Sequence, residues 1–177
     1  SYESNISTNM LEANLGAFGN VTGKISALLK GGYGNTFLES ADNFQSFVGM
    51  AEFTYSMTEI SKMSLGYTRN VQPTSLFKYV RADRVYLRLS QQISRVLIAG
   101  DLGYAYLGYG LPVAPPQTSR TDQSFTGSLS VSMPVTEWLS ASLVESLEYR
   151  DSTYQSIVGT NPSYFTNDVF LRVTARY

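Results

Sequence analysis

Hydrophobic and polar residues alternate with a period of two along many short segments of this chain. The clearest segment is 125–133, where Phe125 and every second residue after it are apolar or glycine and the residues between are threonine or serine. Such alternation predicts a β-strand with one apolar and one polar face. Applied to the whole chain, the pattern predicts nine strands, at residues 10–18, 21–33, 47–57, 62–68, 79–91, 96–106, 125–133, 139–149 and 169–177.

The predicted connections alternate between short and long. Short turns are expected at Gly19-Asn20, Thr58-Glu59, 92–94 and 134–137, and longer loops at 35–46, 72–77, 108–122 and 151–164. This rhythm is typical of an up-and-down barrel with tight turns at one rim and long loops at the other. Aromatic residues follow it and predict two interfacial girdles. The girdle at the long loops would hold Tyr33, Phe47, Tyr67, Tyr79, Tyr104, Tyr106, Phe125, Tyr149 and Phe165, and the girdle at the short turns Phe18, Tyr55, Trp138 and Tyr177.

Composition agrees with strands rather than helices as the membrane-crossing elements. The chain is 43% hydrophobic with a mean hydropathy of -0.10, and no stretch approaches the roughly 20 apolar residues of a spanning helix. A barrel needs apolar residues only at every second position. We therefore expect an all-β fold, a transmembrane antiparallel up-and-down β-barrel with about 8 to 10 strands in this chain, forming one domain over residues 1–177.

The last predicted strand places Val169, Leu171, Val173, Ala175 and Tyr177 on one face and ends on an aromatic residue. It resembles the C-terminal strand of bacterial outer-membrane β-barrel proteins, by which the insertion machinery recognises them. The tyrosine-rich strands, the MPVTEW turn at 133–138 and the YRDSTY strand end at 149–154 also resemble outer-membrane porins of the β-barrel porin 2 type. These resemblances imply the outer membrane of a Gram-negative-type bacterium, with its lipid and the barrel insertion machinery as partners.

Strand parity raises a question about the size of the barrel. A complete single-chain bacterial barrel has an even number of strands, whereas nine are predicted here. Either residues 1–18 are not a barrel strand, which leaves eight strands between 21 and 177, or the chain is the C-terminal part of a larger barrel with further strands upstream or on another chain. The many small residues on the inward faces would underfill an eight-stranded interior and favour a wider lumen.

The alternation within each predicted strand assigns its charged residues to either the inner or the outer face of the barrel. An excess of cations on the inner wall predicts a mild preference for anionic solutes or acidic glycans. Alternatively, the three inward carboxylates pair with cations across the lumen and rigidify it, which leaves the remaining cations as an unpaired positive excess. Glu145 falls on the lipid-facing side, where a carboxylate is costly, so we expect either a β-bulge or a contact with another protein there. The predicted lumen-lining charges are Lys24, Lys30, Lys62, Arg84, Arg88, Arg172, Arg176, Glu52, Asp101 and Glu148.

The chain contains no histidine and no cysteine, so the commonest general base and the commonest transition-metal ligands are missing. Its basic residues are scattered, which gives no case for nucleic acid. We therefore expect no enzyme activity and no cofactor. The expected function is a porin-like barrel for passive passage or export of solutes or glycans, alone or with other envelope proteins. The alternative is a small closed barrel that serves as a membrane anchor, adhesion or assembly scaffold through its outer loops.

Overall fold

The computed structural model describes residues 8–38, 44–72, 74, 79–110, 120–153 and 163–175. The described residues form nine strands in one antiparallel sheet, in which each strand pairs only with its neighbours in sequence. The predicted all-β, up-and-down arrangement and its nine strands are confirmed. The strands are β1 (Thr8–Asn20), β2 (Ile25–Leu38), β3 (Phe44–Ser56), β4 (Ser61–Gln72), β5 (Val80–Ile93), β6 (Val96–Tyr109), β7 (Arg120–Pro134), β8 (Leu139–Ser152) and β9 (Tyr164–Ala175).

The sheet has an apolar face and a polar face, because residues paired across neighbouring strands point to the same side. On the apolar face, for example, Leu65 pairs with Leu87, which in turn pairs with Leu102. On the polar face, Ser64 pairs with Arg88, and Arg88 pairs with Asp101. The large exposed hydrophobic residues of the described strands lie on the apolar face, except for Phe18, Leu97, Tyr164 and Phe170.

The connections alternate between two ends of the sheet, as predicted. The short-turn end carries residues 21–24, 57–60, 94–95 and 135–138. At the opposite, long-loop end, β2 ends and β3 begins, β4 ends and β5 begins, β6 ends and β7 begins, and β8 ends and β9 begins. Several strands extend further toward the long-loop end than predicted, and β9 begins at Tyr164 rather than at residue 169. The sequence prediction stopped where the apolar residues stop, whereas the backbone pairing continues through polar residues.

The first turn differs from the prediction. Gly19 and Asn20 belong to β1, and the chain reverses at 21–24. The Thr22 hydroxyl accepts hydrogen bonds from the backbone N–H groups of Lys24 and Ile25, and the Val21 N–H donates to the Ile25 carbonyl. A threonine hydroxyl thus stabilises this turn. Val21 and Lys24 therefore lie in the turn and not on the faces of β2 to which the sequence pattern assigned them.

The first strand is part of the sheet. β1 pairs with β2 over its whole length, from Thr8↔Leu38 to Asn20↔Ser26. The alternative that residues 1–18 contribute no strand, which would leave eight, is therefore wrong for residues 8–18. Among the residues that the structure describes, no strand pairs with the outer edge of β1 or of β9, so the sheet is not closed.

Glu145 lies on the apolar face without any irregularity in the backbone. It pairs with Leu129 of β7 on one side and with Val169 of β9 on the other. The register is constant along the described length of both strand pairs, so the expected bulge at this position is absent. The conflict between a carboxylate and an apolar face is therefore real, and the proposed protein contact stays a prediction.

Candidate functional site

The polar face holds most of the charges that the sequence assigned to the lumen. By register, this face carries Lys30, Glu52, Lys62, Arg84, Arg88, Asp101, Glu148 and Arg172. Lys24 lies in the first turn, and Arg176 lies outside the described residues, as does Tyr177 of the C-terminal signal. The other residues of that signal, Val169, Leu171, Val173 and Ala175, share the apolar face of β9.

Four charged residues at mid-height form a connected group across β3, β5 and β6, which we call the charge belt: Glu52, Arg84, Arg88 and Asp101. Arg88 bridges the two acids, with Nη1 3.3 Å from Glu52 and Nε 3.1 Å from Asp101. Arg84 Nη2 lies 2.7 Å from the other oxygen of Asp101. The belt contains two cations and two carboxylates, so its formal charge sums to zero.

Two glycines allow the side chains of the belt to lie flat against the sheet. Tyr86 lies over Gly66 of the neighbouring strand, where an added Cβ would overlap the ring, and its hydroxyl donates to Glu52 Oε2 at 2.6 Å. On the other side, a Cβ at Gly103 would lie 2.8 Å from Arg84 Nε. The pairing predicted for Glu52 and Asp101 is thus confirmed, but it runs along the wall and not across a lumen.

A second ionic group, the rim cluster, lies on the polar face near the long-loop end of β7, β8 and β9. Arg120 donates two hydrogen bonds to Asp122, at 2.9 and 2.6 Å, and Asp122 is fully buried. The Ser152 hydroxyl donates to the same carboxylate. Burial of a charge is tolerated here because the carboxylate is paired and hydrogen-bonded.

The rim cluster also contains Glu148, which is paired as predicted but with Arg150 of its own strand and not across a lumen. Arg150 lies 3.3 Å from its Oε1, and the Tyr164 hydroxyl donates to the same atom at 2.9 Å. Sequence reasoning missed the Arg120 and Asp122 part of the cluster because it assigned 108–122 to a loop. The polar alternation of Arg120, Asp122 and Ser124 would have revealed the early start of β7.

The apolar face carries an aromatic row at one height, formed by Tyr67, Tyr104, Phe125, Tyr149 and Phe165. Within it, the rings of Tyr104 and Phe125 lie 4.9 Å apart. The next row of this face toward the long loops is charged. There, the Nε atoms of Arg69 and Arg81 each lie 3.2 Å from a carboxylate oxygen of Asp83. Five residues of the predicted girdle therefore share one register row, whereas Phe18 lies on the polar face opposite Leu28 and is not part of a girdle.

Three cations of the polar face have no ion pair within the described part of the chain: Lys30, Lys62 and Arg172. The same residues include no group of three or more acidic side chains placed to hold a metal ion, and no described helix is long and apolar enough to cross a membrane. What the polar face offers chemically is fixed charge and many serine and threonine hydroxyls presented to water.

Comparison of the sequence with models of protein families returned no match, and comparison with curated proteins returned none either. The resemblance to outer-membrane porins therefore rests on the sequence features described above.

Proposed function

We propose that this chain forms part of the wall of a water-filled pore in a bacterial outer membrane, through which hydrophilic solutes pass passively. The observation that carries the proposal is the separation of the two faces over all nine strands. One face is apolar and exposed, although exposed apolar surface of this extent is rare in soluble proteins. The opposite face carries charges, hydroxyls and glycines, as expected for a surface in contact with water.

The dimensions of the apolar face fit a lipid bilayer. On β7 the apolar positions extend from Phe125 in the aromatic row to Met133 near the short-turn end. These eight steps of about 3.4 Å each span about 27 Å along the strand. With a strand tilt of about 40°, they give an apolar band about 21 Å tall, close to the ~25 Å typical of outer-membrane barrels. The aromatic row and the Arg69, Asp83 and Arg81 group would then lie at the headgroup level.

The two unpaired edges support the view that further strands complete the barrel. A lipid-exposed strand edge would leave its N–H and C=O groups without hydrogen bonds at a cost of several kcal/mol each. Because β1 and β9 are separated by an even number of steps, they run in the same direction. Direct closure or a ring of identical copies would pair them in parallel, whereas an odd number of additional strands restores antiparallel pairing at both edges. We therefore favour completion by an odd number of strands from elsewhere in the polypeptide or from another envelope protein.

Small side chains on the polar face favour an open lumen over a filled one. On β7 and β8 this face carries a run of serines from the height of the charge belt toward the short-turn end, at 128, 130, 132, 140, 142 and 146. Tyr86 and Arg84 lie flat on Gly66 and Gly103. Interiors of eight-stranded barrels are filled by larger side chains. This observation ranks the pore above the alternative of a closed barrel that acts as an anchor, adhesion or assembly scaffold.

Planar bilayer recordings test the proposal. The assembly purified from outer membranes should give stable open-channel currents, and its native mass should exceed the 19.6 kDa of the chain. A folded assembly without ionic current would refute the pore and leave the scaffold as the better function. A native mass equal to that of one chain would refute completion by another protein.

A further inference from the structure

The charges of the polar face are distributed unevenly along the strands. Toward the long loops, the charge belt and the rim cluster hold cations and carboxylates in contact with one another. Glu12, Lys30 and Asp168 lie on the same part of this face without an ion pair among the described residues, so they add no positive excess there. From the Ser56↔Lys62 pair to the short-turn end, the described strands place no Asp or Glu on this face. They do place two cations there, Lys62 on β4 and Arg172 on β9.

The short turns do not compensate these two cations. The four turns carry two cations, Lys24 and Arg95, and two carboxylates, Glu59 and Glu137. Their formal charges cancel, so the excess in this third of the polar face comes from Lys62 and Arg172. The alternation of residues in the sequence could not distinguish these two cations from the arginines of the charge belt, because all of them fall at positions predicted to face inward.

Lys62 is the better defined of the two, because both neighbouring strands are described. It is exposed and pairs with Ser56 on β3 and Ser90 on β5. It lines an open depression of about 280 Å³. The floor of this depression is rich in hydroxyl groups, contributed by Thr54, Ser64, Ser90, Ser128 and Ser130.

We infer that the ion preference of the pore is set mainly by Lys62, supported by Arg172, and that it favours anions. Arg84 and Arg88 contribute little, because Glu52 and Asp101 neutralise them within 3.3 Å. This inference rests on the proposed pore and locates its selectivity near the short-turn end. The solute class that fits is a small hydrophilic anion, such as a carboxylated sugar, whose hydroxyls can exchange hydrogen bonds with the serine-rich floor.

Reversal potentials of the native assembly in a KCl gradient test the inference through Lys62→Gln and Lys62→Glu. In water, a unit charge about 10 Å from a permeating ion raises anion occupancy about twofold and lowers cation occupancy about twofold. At low salt the anion-to-cation permeability ratio should therefore fall about fourfold in Lys62→Gln and about sixteenfold in Lys62→Glu. In about 1 M salt, where the Debye length is about 3 Å, the differences should largely disappear.

The matched control is Arg81→Gln, which removes one positive charge on the apolar face and should leave the ratio unchanged. If Lys62→Glu fails to fold, Lys62→Gln still tests the role of the charge. Electrophoretic migration of each variant before and after heating verifies that it is folded. A wild-type pore that prefers cations, or a Lys62→Glu pore with the wild-type ratio, would overturn the role of Lys62 while leaving the pore intact. Absence of any current from the folded wild-type assembly would instead overturn the proposed function.

Discussion

The contact between Tyr86 and Gly66 makes a sharp prediction about stability. Tyr86 is almost fully buried, at 3% exposure, because its ring covers the backbone of Gly66. A Cβ at residue 66 would occupy the position of the ring. Gly66→Ala should therefore force Tyr86 away from β4 and break the interactions that depend on its position.

The magnitude follows from the contacts that would be lost. The Tyr86 hydroxyl donates to Glu52 at 2.6 Å, and a hydrogen bond to a charged group contributes about 1.5–3 kcal/mol. The Arg88 guanidinium lies 4.3 Å from the ring centroid, a contact of about 0.5–1 kcal/mol at an exposed site. Alanine regains about 0.5–1 kcal/mol over glycine within a strand. Gly66→Ala should thus lower the free energy of unfolding by about 1–3 kcal/mol.

The assay is a double-mutant cycle with Tyr86→Ala, measured by denaturant titration in lipid vesicles with the fluorescence of Trp138, the single tryptophan. With the ring removed, Gly66→Ala should become neutral or stabilising, which gives a coupling energy of about 2–4 kcal/mol. Gly100→Ala is the control, because the nearest atom to an added Cβ there is the Ser128 carbonyl oxygen at 3.6 Å. An equal cost of Gly66→Ala with and without the Tyr86 ring would refute the reasoning.

Three further predictions concern other parts of the sheet. Asp122→Ala should lower the free energy of unfolding by about 1.5–3 kcal/mol, because it removes the fully buried carboxylate that Arg120 and Ser152 bind. Asp83→Ala, at the more exposed group with Arg69 and Arg81, should cost at most about 1 kcal/mol; equal costs would contradict the argument from burial. Ser94 has a φ of 54°, so Ser94→Val should destabilise by about 1–2 kcal/mol and Ser94→Asn should not, as equilibrium unfolding would show. Glu145→Leu should weaken the association of the chain with a partner protein at this position, as measured by native mass, while raising the stability of the sheet by about 1–2 kcal/mol; unchanged association would exclude a contact there.

The number of strands and their phase could be predicted because a sheet with one apolar and one polar face imposes strict alternation. Segments such as 125–133 therefore keep their assignment in the structure, and the pairing of Glu52, Asp101 and Glu148 followed from the same phase. Strand ends were less predictable, since Arg120 and Asp122 continue the ladder without any apolar residue. The ends depend on backbone pairing, which hydropathy does not report.

The role of individual polar residues depends on register, which one sequence does not reveal. The sequence phase places Gly66 on the polar face, but nothing local shows that it lies under the Tyr86 ring of the next strand. In the same way, Arg88 and Lys62 occupy equivalent inward positions, but only Arg88 lies opposite a carboxylate on the next strand. The first turn was misplaced because Gly19-Asn20 matches a common hairpin signal, whereas the Thr22 hydroxyl stabilises the turn that is observed.

The strictly sequential order of the sheet bears on how such a protein changes in evolution. Each strand depends only on the strand before it and the strand after it, so a hairpin can be gained or lost while every other hydrogen-bond ladder keeps its alignment. The sheet can therefore widen in steps of two strands by duplication of one hairpin, which here means two strands of 12 to 15 residues each and their turn. The width of the sheet can change in this way while the alternation of apolar and polar residues within each strand is preserved.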